Sequence, residues 1–244
     1  MQSDFARELM VVPGMCDSAG RLGVPNAFTL FMDIATEHAS ALGIGMRALK
    51  ERELFWLTAR TRLRFHRRPA LEEVVCARTW PEPPERSRCY RDYLITQGGK
   101  TLIEGRTEWM VMNLKTGRLH PADSVYPEGL AILPDRVLPE PFARLADDFA
   151  GAEELDAYTV RSTDIDLGGH MNNAAYARAI AGAFTSAEWN AMDIREMEIA
   201  FRAPCFEGET LRLQRRQGDD AVDLRLSRDE KTIALARIIC GDGR

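Results

Sequence analysis

The chain has 244 residues, of which 45% are hydrophobic and 28% charged, with a net charge of −5; this suits one large or two small globular domains with a substantial core. No apolar run reaches the roughly 18 residues that cross a bilayer, and the acidic balance argues against a general nucleic-acid binder. Five widely spaced cysteines with no CxxC pair point to reduced thiols, a cytoplasmic location and neither a disulfide frame nor a zinc site.

The N-terminus, MQSDFARELM, lacks the basic-then-apolar order of a signal peptide. Residues 27–42 place Phe31, Ile34, Ala35, His38 and Leu42 at helical spacing, with Gly43 and Gly45 as stop signals. A strand follows, with Thr61, Leu63 and Phe65 inward and Arg60, Arg62, Arg64 and His66 outward. Residues 113–155 hold Pro121, Pro127, Pro134, Pro139 and Pro141, a density that breaks regular structure and suits a crossing linker. Tyr176, Ile180, Ala183 and Phe184 then mark a second helix over 173–184. Val222, Leu224 and Leu226 against Asp223 and Arg225 mark a later alternating strand.

The two halves echo each other. DSAGRLGVPNAFTLFMDIA from Asp17 resembles DLGGHMNNAAYARAIAGAF from Asp166, aligning Gly20 with Gly169 and Leu22 with Met171. RLRFHRRPALEEVV (62–75) resembles EIAFRAPCFEGETL (198–211), and KTLIEGRT (100–107) resembles KTIALARI (231–238). Three matches in one order, with spacing that shortens along the chain, indicate duplication with a shorter second copy. Each copy reads as a loop, one helix apolar around much of its girth, and an antiparallel sheet. Such a helix needs a sheet wrapped around it. The predicted fold is therefore α+β, a tandem double hotdog, with an N-terminal unit over 1–125, a linker over 126–155 and a C-terminal unit over 156–244.

The stretch TDIDLGGHMNNAAY (163–176) concentrates acids, glycines, a histidine and two asparagines directly before the second helix. Asp164 reads as a solvated loop acid or turn former. Asn172 and Asn173 suit the N-cap of the helix, Gly168 and Gly169 allow close backbone approach, and Tyr176 reads as helix-face packing. No GxSxG elbow, phosphate-binding loop or dinucleotide fingerprint is present.

DIDLGGHMNNAAY followed by a helix resembles the signature loop of hotdog thioesterases. FWLTARTRLRFHRRP (55–69), ARTWPEP (77–83), RDY near residue 92 and TEWMVMNLKTGRL (107–119) narrow the likeness to the acyl-acyl-carrier-protein thioesterases of bacteria and plants, over about residues 8 to 240. The resemblance implies hydrolysis of a fatty acyl thioester without metal or organic cofactor, the first half holding the acyl chain. It places the catalytic aspartate at Asp166 and the catalytic histidine at His170. The sequence departs from the family twice: Gly168 stands where an asparagine is usual, and Pro204, before Cys205, stands where a glutamate is usual.

Hydrolysis needs an activated water, a donor for the developing oxyanion and a dry slot for the chain. Asp166 or His170 would act on water, and N–H groups near Asn172 and Asn173 at the helix N-terminus would polarise the carbonyl. Gly168, Gly169, Tyr176 and Cys205 would line the site, with a Cys205–His170 nucleophile pair as a second reading. Asp17, the counterpart of Asp166, has Arg21 in place of the histidine, so the first loop reads as catalytically silent. The expected partner is an acidic acyl carrier protein, docking on Arg60, Arg62, Arg64, Arg67 and Arg68, with Arg86, Arg88 and Arg91 as a second basic group. An acyl-CoA thioesterase, a non-hydrolytic acyl-binding protein and a hotdog hydratase are the alternatives. A tandem layout supplies both halves that single-hotdog proteins assemble as dimers, so monomer and homodimer both stay open.

Overall fold

The computed structural model describes residues 3–241. The first half runs β1 (Phe5–Met10), α1 (Val24–Ala41), α2 (Met46–Glu51), β2 (Leu54–Phe65), β3 (Val74–Pro81), β4 (Arg88–Gln97), β5 (Lys100–Asn113) and β6 (Leu119–His120). The second runs β7 (Glu153–Thr159), α3 (Asn173–Gly182), α4 (Ser186–Ala191), β8 (Ile194–Phe201), β9 (Thr210–Gln217), β10 (Ala221–Arg228) and β11 (Lys231–Cys240). α1 carries a proline in its first turn, where a missing N–H breaks no helical bond. It ends before Gly43, whose φ of +72° is left-handed backbone that a glycine takes without a Cβ clash.

Every strand pair is antiparallel. The order β1-β3-β4-β5-β2-β8-β11-β10-β9-β7, with β6 on β5, is the same in both directions outward from the β2–β8 seam. The predicted echoes fall on matching elements, so the tandem hotdog follows from the strand order itself. Both helices lie in one continuous core. Phe28, Phe31 and Ile34 of α1 and Ala175, Tyr176 and Ile180 of α3 are all buried in it. Phe31 stacks on Tyr93 at 4.7 Å, and a Cβ on Gly105 would meet the Phe31 ring at 2.4 Å. That glycine is where the sheet lets the helix in. Among the described residues no helix is long and apolar enough to cross a membrane.

Between His120 and Glu153 no strand or helix forms, so the irregular crossing runs slightly earlier than the 126–155 expected. It is nonetheless fixed. Prolines and irregular backbone leave carbonyls without ladder partners, and side chains from the sheet supply the donors. Trp80 Nε1 donates to Asp135 O at 2.9 Å, Arg62 donates to Glu140 O at 2.6 Å and Pro141 O at 3.2 Å, and Arg60 donates to Ala143 O at 2.9 Å. Phe142 lies under the guanidinium groups of Arg60 and Arg62.

The outward arginines therefore do not form a free basic row. Arg62 is buried, Arg60 also faces Glu108 and Glu198, and Arg64 pairs with Glu196 and Glu140. Arg67 pairs with Glu73, and the half-buried Arg68 pairs with Asp17. Alternation correctly turned these side chains away from the core; it could not show that a linker from far along the chain covers them. Arg62→Met is expected to lower stability by about 2–4 kcal/mol, since it removes two charged hydrogen bonds and leaves Glu198 less compensated. Urea unfolding would show this, with kcat/KM changed less than about twofold; a KM effect without a stability loss would reverse the assignment.

Candidate functional site

The loop before α3 is built from its acids upward. Asp164, expected to be solvated, is buried. Its carboxylate accepts from Tyr158 Oη at 2.7 Å and from the Arg161 N–H at 2.8 Å, and its carbonyl accepts from the Asn172 N–H at 2.8 Å. It therefore staples the two ends of the loop together. Between them, Ile165 bridges to Met171, Asp166 N–H donates to His170 O, and Gly169 N–H donates to Asp166 O. Gly169 has φ +75°. Asn172 caps α3 by accepting from the Ala174 N–H at 2.8 Å. Asn173 Nδ2 donates to Thr58 Oγ1 at 2.6 Å, tying the helix start to β2 of the first half. The Asn173 backbone N–H has no acceptor among the described residues, as expected for a first-turn donor.

The first half repeats this turn bond for bond. Asp17 N–H donates to Arg21 O, Gly20 N–H donates to Asp17 O, Cys16 bridges to Leu22, and Gly20 has φ +70°. Leu22 N–H donates to Pro69 O as Met171 N–H does to Cys205 O. The chemistry of the two aspartates nevertheless differs. Asp17 Oδ1 accepts from the Ala19 and Arg21 N–H groups while Oδ2 is paired with Arg68. Burial works to raise the Asp17 pKa, but the Arg21 N–H and the Arg68 guanidinium outweigh it and hold the carboxyl below its usual value. At the position matching Arg68 the second half has Pro204. Asp166 is exposed; its Oδ1 accepts from the Gly168 N–H at 2.7 Å, and its Oδ2 has no partner among the described residues.

This loop forms the rim of a cavity of about 570 Å³. Its walls are Ala35, Thr36 and Ala39 of α1, Met46, Trp56 of β2, Trp109 of β5 and Tyr126 of the linker. Asp166, Leu167, Gly168 and Asn172 line it from the second half. The two tryptophans meet edge-on at 6.2 Å, and the Trp56 Nε1 donates to Ile44 O at 2.8 Å. Arg91, expected on an outer basic face, is only 6% exposed, lines the cavity and lies with Nη1 3.0 Å from His38 Nδ1. The tryptophans fall within stretches that carried the family resemblance. Their meeting at one cavity was not readable, because β2 and β5 become neighbours only in the sheet.

The other expected site residues, Gly169, His170, Asn173, Tyr176 and Cys205, are not among those that line this cavity. His170 packs on Phe206 at 5.1 Å, outside the lining, with no hydrogen bond to its ring among the described residues. Tyr176 is buried edge-on against Phe201 at 5.3 Å, and burial raises its hydroxyl pKa. Cys205 is buried, its Sγ 3.1 Å from Glu209 Oε2. Burial pushes the thiol up to about 12, and the Glu209 bond adds to this. A thiol so strongly held in its neutral form is a poor nucleophile, which favours Cys205 as a packing thiol over the Cys205–His170 nucleophile pair. Glu209 accepts from the Phe206 N–H as Glu73 accepts from the Ala70 N–H in the first half. It closes a turn common to both copies.

Gly168 has its own reason. A Cβ there would lie 2.8 Å from the Phe55 ring and 3.0 Å from Asp166 Oδ1, so Phe55 fills the space that a side chain at this position would need. Gly168→Asn is expected to cost about 1–3 kcal/mol through overpacking, read as a lower Tm. Phe55→Ala combined with it should recover most of that loss. Additive losses in the double variant would show that the ring is not what excludes a side chain.

Two helices wrapped by one tandem antiparallel sheet define a double hotdog in class, with an open carboxylate at the mouth of an aromatic-walled cavity. The sequence pattern of the acyl-ACP thioesterase N-terminal domain matches residues 2–131, and that of the C-terminal domain matches residues 150–238. The chain belongs to the acyl-ACP thioesterase family. It is 23% identical over 244 aligned positions to a chloroplastic acyl-[acyl-carrier-protein] hydrolase of Cuphea viscosissima, covering 88% of this chain and 57% of that protein. It is 26% identical to a chloroplastic palmitoyl-acyl carrier protein thioesterase of Arabidopsis thaliana, covering 68% and 43%. The chain thus spans about half the length of these relatives. An acyl-ACP thioesterase from Bacteroides thetaiotaomicron superposes with a TM-score of 0.86 at 22% identity, over 98% of both chains. A 12:0-ACP thioesterase from Umbellularia californica superposes at 0.82 with 18% identity, over 98% and 97%.

Proposed function

We propose that the protein hydrolyses fatty acyl thioesters of an acyl carrier protein, releasing the free acid and the carrier thiol. The observation that carries this reading is the open Asp166 carboxylate at the rim of the cavity, next to the N-terminus of α3. The chain enters the apolar space between α1 and the two tryptophans. Asp166 Oδ2 orients a water molecule and takes its proton as the oxygen attacks the thioester carbon. The Asn173 N–H and the positive end of α3 stabilise the developing oxyanion. The C–S bond then breaks, and His170, whose ring is otherwise uncommitted, supplies a proton to the leaving thiolate. Family membership and the plant relatives named as acyl-carrier-protein hydrolases support the carrier-bound substrate over an acyl-CoA.

The test is thiol release by the purified protein from carrier-bound acyl chains running from butyryl to stearoyl. Release far above background for part of that series supports the proposal. Tight acyl binding without release at any length would replace hydrolysis with a binding role. A higher kcat/KM on the matching CoA esters would move the assignment to acyl-CoA.

A further inference from the structure

With Arg60, Arg62, Arg64 and Arg68 committed inside the fold, the cations left for a partner lie elsewhere. We infer that the acidic carrier protein docks on the end of the first half formed by α2 and the β5–β6 hairpin, against Arg47, Lys50, Arg52, Arg86 and Arg118. This rests on the carrier-bound substrate proposed above.

Three observations place the surface. The first is charge. All five side chains are exposed and none has a carboxylate within 4.0 Å among the described residues, whereas most arginines elsewhere in the chain are paired. Of the acids in the same segments, Glu53 is taken up by Lys115, and Glu82 and Glu85 of the β3–β4 loop face Arg136, leaving Glu51 and Asp123. A local positive field remains on a chain whose total is negative.

The second is proximity of the pieces. Arg52 Nη2 donates to Ser124 O at 3.2 Å, the Leu114 N–H donates to Glu53 O, and the Asn113 N–H donates to Arg118 O. The Ala122 N–H donates to Arg86 O. These bonds gather the end of α2, the hairpin and the β3–β4 loop into one surface.

The third is its position relative to the chemistry. Arg47 directly follows Met46, which lines the cavity. β2 begins at Leu54, paired with Asn113 of β5; the next residue, Phe55, is the one that packs on Gly168 of the catalytic loop. At that same end Leu167 is 89% exposed while lining the cavity mouth, an apolar side chain with no cover of its own. A basic rim around an apolar contact at the mouth suits an acidic partner that must deliver a tethered chain into the cavity.

The experiment compares the wild type with Arg47→Glu/Lys50→Glu and with Arg118→Glu, on one acyl chain carried either by acyl carrier protein or by pantetheine. The expected result is a rise in KM of tenfold or more for the carrier substrate, with less than a twofold change in kcat/KM on the pantetheine ester. The salt dependence of kcat/KM on the carrier substrate should flatten in the variants. Arg47→Lys/Lys50→Arg should behave as wild type. Unchanged KM in the reversed variants, or an equal fall on both substrates, overturns the docking surface while leaving hydrolysis standing. If the wild type releases thiol from neither substrate, hydrolysis fails. Docking is then read from calorimetric titration with the holo carrier protein: binding that the reversed charges abolish supports it, and binding they leave intact overturns it.

Discussion

Asp166→Ala is expected to lower kcat by about a hundredfold or more on any acyl thioester the protein turns over, with KM little changed. General acid–base groups contribute on the order of 10²–10⁴ in rate, and an interaction made mainly in the transition state appears in kcat rather than KM. The proper control is built into the chain. Asp17 occupies the same turn, with the same backbone bonds, but its carboxylate is closed off by Arg68. Asp17→Ala should therefore leave kcat within about twofold and instead lower stability. Because the Asp17 pKa is depressed in the fold, its stabilisation is present above the unfolded carboxylate value of about 4 and is lost as pH falls below it. Stopped or steady-state thiol release for both variants, with urea unfolding alongside, checks the pair. A similar kcat loss in both would mean that Asp166 serves only to shape its turn.

The second large effect concerns a buried acid remote from the loop. Asp92 on β4 is fully buried, and neither carboxyl oxygen makes a well-formed hydrogen bond. Burial pushes its carboxyl up to about 7, and the Glu82 carboxylate adds to this. Arg106, the backbone at Val137 and Arg136 oppose it. Arg106 is committed elsewhere, holding Glu82 through two bonds of 2.6 and 2.9 Å.

The sign follows from the proton count. Between the unfolded value near 4 and about 7, the folded chain holds a proton that the unfolded chain has released. Stability therefore falls as pH rises through that window, and above it the full cost of a buried charge is present. Asp92→Asn removes the ionisation. At pH 8 it is expected to be more stable than the wild type by about 2–4 kcal/mol, since a tenfold change in a protonation equilibrium corresponds to about 1.4 kcal/mol. The advantage should vanish towards pH 4. Unfolding curves at pH 4, 6 and 8 decide it; a difference that does not vary with pH would mean that the Asp92 charge is not what the fold resists.

Much of this protein was legible in the order of its residues. The duplicated Asp-Gly turns, the apolar faces of the two helices and the strand alternation are local patterns, set by backbone geometry over a few residues, and they sufficed for two hotdog units. The turn before α3 was legible for the same reason, because DLGGHMNN carries its turn glycines and its cap within itself.

What the tertiary structure alone decided is how side chains far apart in sequence divide charge and space. Alternation set Arg62 facing away from the core, but only the fold lays Glu140 and Pro141 over it. Sequence marked Gly168 as a departure; the fold shows Phe55 standing where a side chain would go. The turns at Asp17 and Asp166 look alike as sequence. One is closed and the other open because Arg68 reaches the first aspartate and Pro204, at the matching place, cannot reach the second. Local propensity writes the turn, whereas the neutralisation of its acid depends on Arg68, brought up from the loop after β2, and that only folding supplies.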